Sequence, residues 1–163
     1  MKIALLGLVL FLAACNPFAP ELDESPVENP FGDPKTIDGF FTAFRSAYQF
    51  KDTLLYGKLF APNFTFSYRN FDRGLDLEWG RDEEMRTTGS LFESALGLDL
   101  LWGNVLDSSG TDIVYDITRS FSLTITLNLG EILNVDGRAI FHLERPTPDV
   151  AWQAVRWRDE SNF

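Results

Sequence analysis

His142 is the only histidine in this chain of 163 residues, and so the only side chain whose unperturbed pKa lies near neutrality. It stands in Ala139-Ile-Phe-His-Leu143, on a strand face shared with Ile140 and Glu144. If Asp136-Gly137 is a two-residue hairpin turn, Glu131 lies opposite it, and an imidazole beside a carboxylate is an acid/base pair. Asp116 falls on the polar face of a long strand, whereas Tyr68 and Tyr115 fall on apolar faces. A tyrosine working with Asp116 or His142 can polarise a carbonyl, as a dehydratase or isomerase requires. Tyr68, Asp116 and His142 are therefore the catalytic candidates, provided that at least two of them converge in one pocket. Against this, a lone strand histidine more often sits at a rim or on the surface. Tyrosines on apolar faces more often pack as aromatic core with the hydroxyl at the edge.

Other chemistries find less support. Cys15 is the only cysteine and cannot form an intramolecular disulfide. One histidine and one cysteine leave only carboxylates for a metal, and the spacing of a Ca²⁺ loop is missing, so no metal and no cofactor are expected. There is no Gly-x-Ser-x-Gly elbow and no glycine-rich phosphate loop. Asp82, Glu83 and Glu84 read as a charge run suited to the positive end of a helix. Arg156 and Arg158 flank Trp157, but alternation puts the indole on the opposite strand face from both. The formal net charge of −10 argues against nucleic acid as a partner, which needs clustered Lys and Arg. It argues equally against the domain itself lying on an anionic lipid surface.

The elements that must position these groups form two blocks. Ile37, Phe40, Phe41, Phe44, Ala47 and Tyr48 recur along one helix face. Asp52 or Thr53 can cap a shorter helix carrying Leu55, Leu59 and Phe60, ended by Pro62. Phe64, Phe66 and Tyr68 alternate with polar residues as a short strand, and a loop is expected from Arg69 to Glu78. Trp79 leads into a third helix with Met85, Thr88, Phe92 and Ala95 inside and Gly97 as its stop. Strands follow. Leu98, Leu100 and Trp102 alternate with Asp99 and Leu101, and Gly110 marks a turn. From Ile113 to Leu129 a period of two separates an apolar from a polar face. Arg119 interrupts the apolar face and predicts a bulge or bend nearby. The next strand begins near Ile132 or Arg138. Either Asp136-Gly137 is the turn before it, or the turn is Asn128-Leu-Gly-Glu131 and Gly137 is a bulge in a longer strand. The last strand is expected over Val150 to Arg158.

The N-terminus carries its own signal. Lys2 precedes an apolar run from Ile3 to Leu12, too short to span a bilayer, which takes ~20 residues. The following Leu12-Ala-Ala-Cys15 resembles the lipobox of bacterial lipoproteins. That resemblance implies removal of residues 1–14 as a signal peptide and lipidation of Cys15, with the new amine acylated by a fatty acid such as palmitate. The membrane is then a partner through the lipid anchor. Asn16, where an Asp would favour inner-membrane retention, points to the outer membrane of the cell envelope, facing the periplasm or the cell surface. From Cys15 to residue 35, five prolines and five acidic residues predict a disordered tether. Extended, it reaches up to ~60 Å at ~3.1 Å per residue. Packing of Phe18 or Phe31 on the domain is the alternative.

Residues 36–160 predict an α+β domain, about three N-terminal helices packed on a curved antiparallel sheet. Phe44-Arg-Ser-Ala-Tyr48, Lys51-Asp52, Leu59-Phe-Ala-Pro-Asn-Phe64, Gly137-Arg-Ala-Ile-Phe141 and Trp152-Gln-Ala-Val-Arg-Trp-Arg-Asp159 resemble the nuclear transport factor two-like (SnoaL-like) superfamily. The resemblance implies a conical pocket between sheet and helices, and a homodimer through the open sheet face. In isomerase-like members an acid on or near the first strand acts as base. Here Phe64-Thr-Phe-Ser-Tyr68 has none, which weakens the enzyme reading. The expectation is an envelope lipoprotein whose domain is a non-catalytic module for a small apolar ligand or for assembly with a protein partner. The alternative is a dehydratase- or isomerase-like enzyme.

Overall fold

A computed structural model describes residues 29–70 and 74–161. Cys15, the signal peptide and the tether as far as residue 28 lie outside the described residues. The elements are α1 (Ile37–Phe50), α2 (Thr53–Lys58), β1 (Phe60–Asn70), β2 (Leu75–Gly80), α3 (Arg81–Ser94), β3 (Gly97–Gly110), β4 (Val114–Asn128), β5 (Glu131–Glu144) and β6 (Gln153–Ser161).

Helix α1 forms where the periodicity predicts it. The Thr36 hydroxyl caps its start by accepting from the Gly39 N–H at 2.9 Å. Lys51, at φ 54°, ends it in the left-handed region. Its buried stripe of Phe40, Phe41, Phe44, Ala47 and Tyr48 lies against the inner sheet face. The Asp52 carboxylate caps α2 by accepting from Leu54 and Leu55, each at 2.9 Å. This helix is shorter than expected: it stops at Lys58, and Phe60 already belongs to β1.

The sheet order is β2-β1-β6-β5-β4-β3. All neighbours are antiparallel except β1 and β6, which run parallel. The sheet is therefore mixed, a correction to the all-antiparallel expectation. Around Pro62, which has no N–H to give, the β1–β6 register slips between Phe60 and Thr65. The stretch expected as a loop after Arg69 contains β2, paired to β1 from Thr65↔Gly80 to Asn70↔Leu75. Trp79 thus belongs to a strand and not to the entry of α3.

The long alternation holds in β4, whose Ile117, Phe121 and Ile125 are buried. The irregularity expected near Arg119 sits on its partner: β3 shifts register between Trp102 and Asp107, and Val105 pairs with Arg119. The Arg119 Nε donates to the Gly103 carbonyl at 3.0 Å, and its guanidinium lies 4.9 Å from the Phe41 ring centre. The β4–β5 turn is Asn128–Glu131, and Gly137 lies in unbroken register between Phe121 and Ser161. It is neither turn nor bulge. The adjoining β6 backbone explains the glycine, because a Cβ there would come within 2.6 Å of the Ser161 Cα. Strand β6 starts at Gln153, later than expected, with Val155 as an extra residue between the Leu143↔Ala154 and His142↔Arg156 pairs.

Residues 29–35, expected as the end of the tether, are seated on the domain. The Ser46 hydroxyl donates to the Pro30 carbonyl at 2.6 Å, and Trp152 N–H donates to Pro34 at 3.0 Å. Arg145 Nη1 donates to Lys35 at 2.8 Å, and Phe31 meets Phe50 with ring centres 6.2 Å apart. Gly39 makes this approach possible: a Cβ there would come within 1.7 Å of the Asp33 carbonyl oxygen.

Candidate functional site

The strand pleat sorts the sequence candidates onto two faces. On β5, Val135, Ala139, Phe141 and Leu143 point inward, which leaves His142 outside. There His142 Nδ1 lies 2.7 Å from Asp116 Oδ1, and Nε2 lies 3.1 Å from Glu144 Oε1. A neutral imidazole donates through only one of these nitrogens. The side chains of Asp116 and Glu144 are 58% and 48% exposed. A depression beside Asp116 and His142 is lined by Thr65, Ser67, Glu78, Ile140, Arg156 and Arg158. Tyr68 lies on the opposite face, its ring 6.1 Å from Phe66 and 5.5 Å from Trp79. Tyr115 packs 6.2 Å from Trp152. Of the three candidates only Asp116 and His142 meet, and they meet outside the cone.

The conditional His142–Glu131 pair is not formed. With the turn at Asn128–Glu131, Glu131 accepts from Asn128 Nδ2 at 2.8 Å, at the far end of β5 from His142. The two arginines flanking Trp157 do lie on the outer side. Arg158 reaches Asp76 at 3.3 Å and Glu160 at 3.4 Å.

The inner face encloses a cavity of about 200 Å³ between the sheet, α1 and α3. Its walls are aromatic and aliphatic, with Phe66, Trp79, Trp102 and Phe121 prominent. Two acids reach it. Glu84 is 3% exposed, although it belongs to the charge run at the start of α3. Its Oε1 accepts from Tyr56 Oη at 2.6 Å and Thr88 Oγ1 at 2.8 Å, and its Oε2 accepts from Trp79 Nε1 at 2.7 Å. One helical turn separates Glu84 from Thr88 and another separates Thr88 from Phe92, so all three share the buried face. That spacing was visible in the sequence, and it makes Glu84 more than a member of the charge run at the start of the helix. Asp82 and Glu83 do remain outside.

Asp159 is the second acid. It follows Trp157 by two residues on β6 and so shares its inward face. The Ser161 hydroxyl donates to its Oδ2 at 3.3 Å, while Oδ1 has no partner among the described residues. Burial, foremost, and the charges of Glu84 and Glu160 push the carboxyl up from 3.8 to about 6, against the opposing hydrogen bonds of Ser161. Trp157, 7% exposed, likewise leaves its Nε1 unpartnered. Burial and then the Glu84 charge hold the Tyr48 phenol well above its usual range. Burial does the same to Tyr56.

This arrangement is a mostly apolar cavity with a few polar side chains in its lining, the form of a small-molecule site. Asp159 is a carboxyl able to exchange a proton near neutral pH. Among the described residues no group of three or more His, Cys, Asp and Glu is placed to hold a metal. No helix there is long and apolar enough to cross a membrane.

No family model matches the sequence, and no curated protein matches it. The fold does have solved counterparts. A nuclear transport factor two-like superfamily protein from Salmonella enterica serovar Typhimurium aligns at TM-score 0.62 and 14% identity, over 78% of this chain and 89% of its own. A protein of that family from Streptomyces avermitilis, provisionally named a dehydratase, aligns at 0.60 and 17%, over 78% and 94%. A protein from Novosphingobium aromaticivorans, provisionally named a scytalone dehydratase, aligns at 0.64 and 12%, over 78% and 82%. The domain therefore has the nuclear transport factor two-like α+β fold, an unclosed curved sheet covered by N-terminal helices. At these identities the likeness concerns fold alone.

Proposed function

We propose that this domain is a small-molecule binding module, held at the cell envelope by a lipidated Cys15. Its ligand is small and mostly apolar with one polar end, and it sits in the cone. One observation carries this: the aromatic-walled cavity of about 200 Å³ is lined by Trp157 and Asp159, whose Nε1 and Oδ1 are buried with no partner among the described residues. Buried polar groups are normally paired, so an orphaned donor and an orphaned acceptor on two residues lining one cavity fit a ligand that supplies both partners. The volume lies below the ~300–1,000 Å³ of ordinary ligand pockets, which favours a small molecule. The test is a titration with p-cresol, an aromatic ring carrying one hydroxyl, followed by calorimetry. Saturable 1:1 binding that Val135→Trp abolishes, by filling the cavity, supports the module. Absence of saturable binding to the wild type overturns it.

A second reading rests on Asp159 itself. A carboxyl raised to about 6 with one free oxygen inside the cone is a general base matched to neutral pH. Provisional dehydratase names among the structural neighbours point the same way. In that reading Asp159, and not His142 or Asp116, removes a proton next to a carbonyl and water then leaves. Deuterium incorporation into 2-tetralone, followed by NMR, separates the two. Exchange faster than buffer and lost in Asp159→Asn indicates an enzyme, whereas exchange at the buffer rate leaves a binding module.

A further inference from the structure

We infer that the polar end of the ligand is positively charged, so that the cone is a site for a small organic ammonium bearing a hydrogen-bond acceptor. This deepens the binding reading and rests on it. The cavity is lined by two acids, Glu84 and Asp159, and by no Lys, Arg or His. All three donors to Glu84 are neutral: a phenol, a hydroxyl and an indole. The site thus sets negative charge against apolar walls, where a cation is attracted and an anion repelled. Trp79, Trp102 and Trp157 also line the cavity, and an indole ring attracts an ammonium within about 6 Å through its quadrupole. The second, independent mark of a ligand is the Trp157 Nε1. It belongs to a residue only 7% exposed that lines the cavity, it has no acceptor among the described residues, and it calls for an acceptor oxygen on the same molecule. An ammonium beside Asp159 and an oxygen for Trp157 satisfy both orphaned atoms at once. Upward displacement of the Asp159 carboxyl, by burial and by Glu84, agrees with a site awaiting a counter-charge.

The test compares three probes of one shape on the full chain, read by tryptophan fluorescence at pH 7.5. They are choline, its neutral carbon isostere 3,3-dimethylbutan-1-ol, and the anion 3,3-dimethylbutanoate. Choline is expected to bind at least about 10-fold more tightly than the neutral alcohol, with the anion weakest. Asp159→Asn, which keeps the shape and removes the charge, should cut the preference for choline over the alcohol about 10-fold. As a check needing no variant, choline affinity of the wild type should fall between pH 7.5 and pH 5 as Asp159 protonates among Glu84, Glu160 and Tyr48, while the alcohol's does not. If the alcohol binds as tightly as choline, or the anion binds best, the charge assignment is overturned and the binding module stands. If neither p-cresol nor any of the three probes saturates, both fall.

Discussion

The Tyr56 hydroxyl donates to the Glu84 carboxylate at 2.6 Å, joining α2 to α3 beneath the cone where both residues are buried. Removing that hydroxyl takes away one of the three donors that compensate a buried acid. Hydrogen bonds to charged groups contribute about 1.5–3 kcal/mol. Tyr56→Phe is therefore expected to lower unfolding free energy by about 2 kcal/mol in urea titrations at pH 7. A loss below ~0.5 kcal/mol would show that Thr88 and Trp79 suffice.

Asp159 makes stability depend on pH in a stated direction. Its folded value of about 6 lies above the ordinary 3.8, so the folded state holds the proton more tightly than the unfolded chain. The stabilisation is full below about pH 4 and is lost as pH rises through 6. The whole effect is at most about 3 kcal/mol, at 1.36 kcal/mol per unit. Asp159→Asn should remove this slope and be the more stable protein above pH 7. Parallel urea titrations of both proteins from pH 4 to 8 decide it, and identical slopes would refute the assignment.

His142 should matter little to the cone. Its side chain is 19% exposed and contacts two carboxylates on the outer sheet face, where such pairs contribute about 0–1 kcal/mol. His142→Ala is expected to cost no more than ~1 kcal/mol and to leave p-cresol affinity within about twofold. A large loss of binding would mean that the two sheet faces are coupled.

Gly39→Ala should give opposite signs in two versions of the protein. Alanine favours helices over glycine by about 1 kcal/mol. In the full chain, however, its methyl would fall 1.7 Å from the Asp33 carbonyl and dislodge residues 29–35. Thermal melts are expected to show destabilisation in the full chain and mild stabilisation in a chain beginning at Thr36. The same sign in both would show that the seated segment adds nothing to stability.

Cys15 is expected to carry the anchor. Cys15→Ser should abolish incorporation of labelled palmitate and block cleavage before residue 15. A mutant that still takes up label and matures normally would remove the envelope from the proposal.

The helix and strand pattern, the α+β class and the inward stripes of α1 and β4 could be read from the sequence, because each depends on a period within one segment. Phe40, Phe41 and Phe44 had to share a face, and so did Phe121, Leu123 and Ile125. Even the bend at Arg119 was announced, by a charge on an apolar face, though it is the β3 backbone that yields. Segment patterns do not say what lies across the sheet. The parallel pairing of β1 with β6, the discovery of β2 where a loop was expected, and the choice of Asn128–Glu131 as the turn all depend on contacts between distant residues. The site followed the same division. His142, Asp116 and Tyr68 stood out by residue type, but the pleat and the helix layer put Tyr68 on one side of the sheet and the other two on the other. Glu84 and Asp159 looked ordinary, an acid in a charge run and the last acid of an Arg-Asp pair. Spacing already put them on the faces of Thr88 and Trp157, but only tertiary packing buried them, because it closed α1 and α3 over one sheet face and withdrew water from the carboxylates pointing there.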